Sequence, residues 1–207
     1  MARTGRPRAF DRDSAVTNAM HLFWQHGYEG ASLDRLRLAM GGISSASFYA
    51  AFGSKELLFR ETLQRYLDKH GGVVAALRNT GLPARERLEG ALLGSVDVQT
   101  ETTHPSGCMI TLSATIVSQA GATLQALTAA YRDETRVALS DCIADGISSG
   151  ALSPKADIAA LVSLFDALLL GISIQARDGV AVASIRAAVQ LAMASWDASA
   201  VPVAPSF

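Results

Sequence analysis

Between Leu33 and Leu58 the chain is cut into short pieces by residues that stop and restart helices. The apolar spacing Leu33, Leu36, Met40 runs into Gly41-Gly42, where glycine reaches positive φ at little cost and lets the backbone turn sharply. Ser44 then has the chemistry of an N-cap, since its hydroxyl can accept from an amide two or three residues on. Phe48 and Phe52, four apart, share one face of the helix that follows, which leaves Ser45, Ser47 and Tyr49 on or near the other. Gly53 closes this piece and Ser54 caps the next, with Glu56 in a first turn where the helix dipole favours an acid. A short helix that buries two aromatic rings and presents small hydroxyls and a phenol is shaped to enter a DNA major groove, as the second helix of a helix-turn-helix. The same pattern also fits two helices packed inside a protein that never meets nucleic acid, so the surrounding chain has to decide.

Upstream, Arg3, Arg6 and Arg8 flank Gly5 and Pro7 with no apolar period, so residues 1–10 are expected to be a flexible basic arm. Beside DNA such an arm lies along phosphates or reaches into the minor groove; elsewhere it is merely solvated. Asp11 is a suitable cap, Phe10 a staple, and Val16, Ala19, Met20 and Phe23 an apolar stripe for a first helix that Gly27 ends. Ser32 caps the second, with Leu33, Leu36 and Met40 inward and Arg35 and Arg37 outward. Residues 11–55 thus make a three-helix DNA-binding unit, small for independent stability, that leans on a long fourth helix begun at Lys55 and ended or kinked at Gly71-Gly72. Charge agrees: residues 1–70 hold ten Lys/Arg and seven Asp/Glu, residues 71–207 eight and twelve, so the positive excess sits with the unit that would meet phosphate.

The remainder, residues 56–198, is expected to be a second helical unit with helices at 83–99, 108–119, 123–145, 155–177 and 182–196, followed by a disordered tail at 199–207. No run alternates with period two, so the fold class is all-α. The apolar run at 158–174 is interrupted by Ser163, Asp166, Gly171 and Ser173 and suits a buried helix better than a membrane span. The basic start leads into charged sequence and not into a secretory apolar core, and two cysteines are too few for a disulfide framework or a structural zinc site. A reduced cytoplasmic setting follows, with no metal and no cofactor.

With this pattern assembled, the first seventy residues resemble the TetR/AcrR family of bacterial transcriptional regulators. The resemblance rests on the arm Gly5-Arg6-Pro7-Arg8, on the run from Ala19 to Gly30, on Ser32-Leu33, and above all on Ser47-Phe48-Tyr49-Ala50-Ala51-Phe52-Gly53-Ser54-Lys55-Glu56-Leu57. The C-terminal half is similar more diffusely, through residues 105–110 and 171–179. The resemblance implies a homodimer on a pseudo-palindromic double-stranded DNA operator, and a small-molecule cavity whose filling moves the fourth helix and releases DNA. It also implies that Tyr49 and Lys55 contact phosphate and that Ser45, Ala46 and Ser47, next to Ser44, face base edges. Three departures stand out. The turn carries one glycine more than the commonest family form, which would change the angle of the recognition helix. Ser45 and Ala46 replace larger or charged residues, and serine reads bases promiscuously. Ala31 replaces a frequent threonine, so a phosphate contact is either lost or passes to Ser32.

In the second unit, Leu161, Leu164, Phe165, Leu168 and Ile172 cover more than one face of their helix. With Ile185, Val189 and Met193 they are expected to form a four-helix dimer interface, the alternative being an ordinary core. The cavity would suit a mostly apolar effector. Cys108, after Pro105-Ser106-Gly107 and near His104, is a candidate thiol sensor of oxidants or electrophiles, the alternative being a small core residue; Cys142 is expected in the core. A sensing protein without an operator is the rival class. Enzymes are disfavoured: Gly146-Ile147-Ser148-Ser149-Gly150 spells a hydrolase elbow, but it ends a helix and all four histidines precede it.

Overall fold

The computed structural model describes residues 11–115 and 118–201, so the basic arm with Arg6 and most of the expected tail lie outside the described residues. Ten α-helices follow in order: α1 (Arg12–Gly30), α2 (Leu33–Ala39), α3 (Ser45–Phe52), α4 (Lys55–His70), α5 (Gly72–Leu77), α6 (Ala84–Thr100), α7 (Met109–Leu112), α8 (Ala122–Ser148), α9 (Ile158–Arg177) and α10 (Val182–Ala198). A 3-10 turn, Gln119–Gly121, precedes α8. Among the described residues there is no strand, only an isolated bridge between Leu152 and Ala200, and the all-α expectation holds.

The caps are where serine and aspartate chemistry puts them. Asp11 accepts from the amides of Asp13 and Ser14, and Ser32, Ser44 and Ser54 accept from those of Arg35, Ser47 and Leu57. Gly27, at φ 71° and ψ 173°, breaks the helical path inside α1 and offsets its final turn.

Two apolar cores result. The first gathers Phe23, Trp24, Leu36, Phe48 and Phe52 with Leu58, Phe59, Leu63 and Tyr66 of α4, and also takes in Met109, Ile110 and Leu124. It therefore runs past the boundary expected at residue 55: α4 completes the N-terminal unit's core, which three short helices could not close alone. Salt bridges Arg12–Glu61 and Arg65–Asp13, both 2.5 Å, clasp α1 to α4 along the rim. The second core holds Leu88, Leu92, Leu139, Cys142, Phe165, Ile172, Ile185, Val189, Met193 and Trp196. α9, 20 residues long, is long and apolar enough to cross a bilayer, with a mean hydropathy of 2.0 over an 18-residue window, yet Phe165, Leu169 and Ile172 on it are packed into this core.

Three expectations are corrected. The helix foreseen at 108–119 shrinks to the four residues of α7, because it has no side-chain cap and its backbone is drawn into tertiary bonds: the Ser113 carbonyl accepts from the Tyr28 amide at 2.6 Å. α5 is an extra helix after Gly71, where a Cβ would lie 2.5 Å from the Leu67 carbonyl oxygen. The chain does not leave the body at residue 199, since the Ser199 carbonyl accepts from the Ser153 amide. The elbow-like motif has a packing explanation: Gly146 leaves room for Trp196, whose ring a Cβ would meet at 2.7 Å, and Gly150 lies just past the helix end at φ 77°.

Candidate nucleic-acid interface and cavity

α3 is a helix with one buried and one open side. Phe48 (0 % exposed) and Phe52 (6 %) hold it in the first core, while Ser45, Ala46, Ser47 and Tyr49 face outward, Tyr49 at 52 % exposure. The turn before it needs both glycines, at φ 91° and 73°, and Arg37 straps it by donating from Nε to the Ile43 carbonyl at 2.9 Å. Ser44 is first of all a structural residue: its Oγ accepts from the Ser47 amide at 3.1 Å and lies 3.0 Å from the Ser47 hydroxyl. Ser32 likewise caps α2 while remaining exposed. Lys55 sits at the first turn of α4 with Nζ 4.4 Å from the centre of the Tyr28 ring, a cation–π placement that the sequence did not announce. Partial burial lowers its pKa and the nearby Glu29 carboxylate opposes that shift. Arg35 is not a loose surface cation either, since it donates to the Gly30 carbonyl and meets His26 Nε2 at 2.8 Å.

The residues expected at a dimer interface divide. Phe165, Ile172, Ile185, Val189 and Met193 are at most 1 % exposed and Leu161 6 %, all enclosed in the chain's own second core. Leu168 is partly buried against that core and only Leu164, at 41 %, faces out. Apolar periodicity identifies a buried face without saying which neighbour buries it. Apolar residues that face outward include Leu164 and Ile174 (50 %) on α9, ten positions apart with Ala167 and Gly171 between them on the same face, and Leu191 (77 %) on α10.

Between α4, α6, α8 and α9 lies a cavity of about 250 Å³. Its wall combines Leu67, Val74 and Leu169 with Tyr66, Gln99, Cys108 and Arg132. The Tyr66 hydroxyl donates to Cys108 Sγ at 3.4 Å, and the phenol is held well above its ordinary pKa by burial and then by the neighbouring thiol. Cys142, in contrast, is enclosed and donates to the Ala84 carbonyl, and burial raises its pKa.

The stretch from His104 to Ser113 lines this cavity on one side and grips α1 on the other. Trp24 Nε1 donates to the Gly107 carbonyl at 2.9 Å, and the Trp24 ring stacks on His104 at 4.5 Å. His70 meets His104 at 4.6 Å. Burial is the first cause that lowers the pKa of His70, followed by His104, with Glu101 opposing; burial likewise leads for His21. A depressed imidazole pKa means the unfolded chain binds the proton more readily. Stability from these groups is therefore fully present above about pH 6.5 and is lost as pH falls below it. The urea midpoint is expected to fall between about pH 7.5 and 5.5, and less steeply in His70→Gln, which measurement of both curves checks.

Three capped helices, a twin-glycine turn and an outward hydroxyl face define a helix-turn-helix regulator with a cavity-bearing helical body. Comparison with known proteins agrees. The profile described as bacterial regulatory proteins, tetR family, matches residues 16–62, and that of the tetracyclin repressor-like C-terminal domain matches residues 84–190. The HTH-type transcriptional repressor ComR of Escherichia coli (strain K12) is 34 % identical over 194 residues, 91 % of this chain and 88 % of ComR. BdcR of the same organism, also an HTH-type transcriptional repressor, is 32 % identical over 51 % of this chain and 53 % of its own length. A cysteine-substituted form of the TetR family regulator CifR, complexed with a 26 bp double-strand operator DNA, superposes with a TM-score of 0.84 at 39 % identity, covering 92 % of this chain and 100 % of that one. The chain belongs to the TetR family.

Proposed function

We propose that the protein is a transcriptional repressor that binds a pseudo-palindromic double-stranded DNA operator as a homodimer in the cytoplasm and releases it when a small, mostly apolar molecule fills the cavity. The observation that carries this reading is α3: a helix pinned by Phe48 and Phe52 whose open side is made of Ser45, Ala46, Ser47 and Tyr49. In this reading residues 11–55, their core closed by α4, are the DNA-binding unit, and residues 56–198, which begin with α4 itself, are the ligand-binding and dimerisation unit. Tyr49, Ser32 and Lys55 meet phosphate, Arg6 extends along the duplex, and Ser45, Ala46 and Ser47 meet base edges, with Ser44 setting the helix start. The partner copy packs on the outward face of α9 and α10 marked by Leu164, Ile174 and Leu191. Two-fold symmetry in the dimer then demands two half-sites in successive major grooves.

A titration of the full chain against its own upstream DNA at several salt concentrations tests this, because phosphate contacts make affinity fall steeply with salt. Tyr49→Ala is expected to weaken binding about tenfold on operator and random DNA alike, whereas Ser45→Ala and Ser47→Ala shift preference among operator variants more than overall affinity. Equal losses on every DNA for all three would contradict these roles, and a monomer with no hold on any promoter fragment would end the reading.

A further inference from the structure

We propose that the cavity is a covalent sensor site: it takes a compact, uncharged α,β-unsaturated carbonyl compound bearing a hydrogen-bond donor, and Cys108 adds to its β-carbon. This deepens the effector-controlled reading above and rests on it for the consequence at DNA, though not for the chemistry.

Two independent observations meet in the cavity wall. The first is Cys108, half-buried, with its Sγ receiving the Tyr66 hydroxyl at 3.4 Å and Arg132 lining the same space. The sulfur therefore opens onto the cavity among polar groups, within reach of a molecule held there. The second is Gln99, only 5 % exposed. Its Nε2 donates to Ser95 Oγ, but its Oε1 accepts no hydrogen bond. A buried amide oxygen with no donor is uncommon, and one lining a cavity asks for a ligand hydroxyl or N–H. At about 250 Å³ the space is below the usual range for drug-sized ligands, so the molecule is compact.

The choice of a carbon electrophile over an oxidant follows from the thiol inventory. The chain has two cysteines, and Cys142 is enclosed in the second core with its thiol on the Ala84 carbonyl, so Cys108 has no neighbour with which to close an internal disulfide. Conjugate addition needs no oxidant. The thiol proton leaves to water, the sulfur lone pair forms the C–S bond, the C=C π pair moves to the carbonyl oxygen as an enolate, and the enolate takes a proton at the α-carbon. The net change is addition of S–H across the double bond. An adduct here presses on the segment that continues through Met109 and Ile110 into the first core and, through Gly107, holds Trp24 of α1.

The test uses the full-length protein with but-2-enal and 4-hydroxybut-2-enal as probes, read by intact-protein mass spectrometry and by operator binding of the modified protein. Expected are a single adduct on the native chain and on Cys142→Ser, none on Cys108→Ser, and at least about a tenfold loss of operator affinity on modification. The hydroxylated probe should react about fivefold faster than its parent, after correction for their rates with free cysteine, and Gln99→Leu should erase that ratio, as expected for one hydrogen bond. Labelling at Cys142, no adduct, no dependence of the ratio on Gln99, or an adduct that leaves operator affinity unchanged would each overturn the proposal. Because labelling is read by mass, failure of the chemistry is separable from failure of the unmodified protein to bind any operator, which would overturn the repressor reading instead.

Discussion

Gly107→Ala is expected to destabilise the protein by about 3 kcal/mol or more, the sum of a disfavoured backbone conformation and an overpacked junction. Gly107 sits at φ 80°, where an L side chain is strained. A Cβ there would lie 2.6 Å from Leu112 Cδ1 and 2.7 Å from the Ser173 carbonyl oxygen. The leucine tip can rotate away. The serine carbonyl belongs to the interior of α9 and cannot. Nor can the loop retreat, because the Gly107 amide donates to the Gln99 carbonyl and its own carbonyl accepts from Trp24 Nε1. Gly41 and Gly42 make the contrast: both have positive φ, but nothing lies within 4 Å of a Cβ at either, so only the backbone cost applies there, about 1–2 kcal/mol. Urea denaturation of Gly107→Ala beside Gly41→Ala measures the difference directly, and equal losses would refute the role given to the Ser173 carbonyl.

What could be foreseen and what could not divides along the range of the interactions. Asp11, Ser32, Ser44 and Ser54 declare helix starts because a cap is satisfied within three residues of itself. The aromatic spacing Phe48–Phe52 likewise states which side of α3 is buried. A dimer face is not legible in the same way, because Phe165, Ile185 and Val189 have the same periodicity whether the opposing surface is a sister helix or a second chain. The residues around α7 tolerate a long helix; what shortens it is the Tyr28 amide, 85 positions earlier, taking the Ser113 carbonyl. Lys55 on the Tyr28 ring and Gln99 with its idle oxygen have no local signature for the same reason. The cysteine at the cavity was visible as a residue, but its companions Tyr66 and Arg132 come from α4 and α8 and only the fold brings them to it.

Arg177→Met is expected to loosen the join between the cavity-bearing body and the DNA-binding unit, at a cost of about 2 kcal/mol, after allowing for partial replacement of its bonds by water. The need for this arginine arises in α1. Because Gly27 leaves the helical path, the Tyr28 amide donates to Ser113 and not to the Trp24 carbonyl four residues back. Arg177 supplies the missing donor: Nη2 reaches the Trp24 carbonyl at 2.9 Å, Nη1 that of Gln25 at 3.0 Å, and Nε that of Ser106 at 3.0 Å. One guanidinium at the C-terminal end of α9 thereby holds both the end of α1 and the loop that leads to Cys108, with its charge favourably placed at two helix C-termini. Partial burial lowers its pKa without bringing a guanidinium near neutrality. Methionine keeps the aliphatic bulk and removes all three donors; Arg177→Lys, with a single point charge in place of a planar fork, should restore part of the loss. Hydrogen exchange at the Tyr28 amide and the operator affinity of the unliganded protein are the two readouts. Protection of that amide and operator affinity should fall together in Arg177→Met, since a helix α1 no longer fixed to the body cannot hold α3 at a set angle to its partner copy. If exchange quickens while affinity stays, the angle is set by α4 alone, and Arg177 serves stability without transmitting anything.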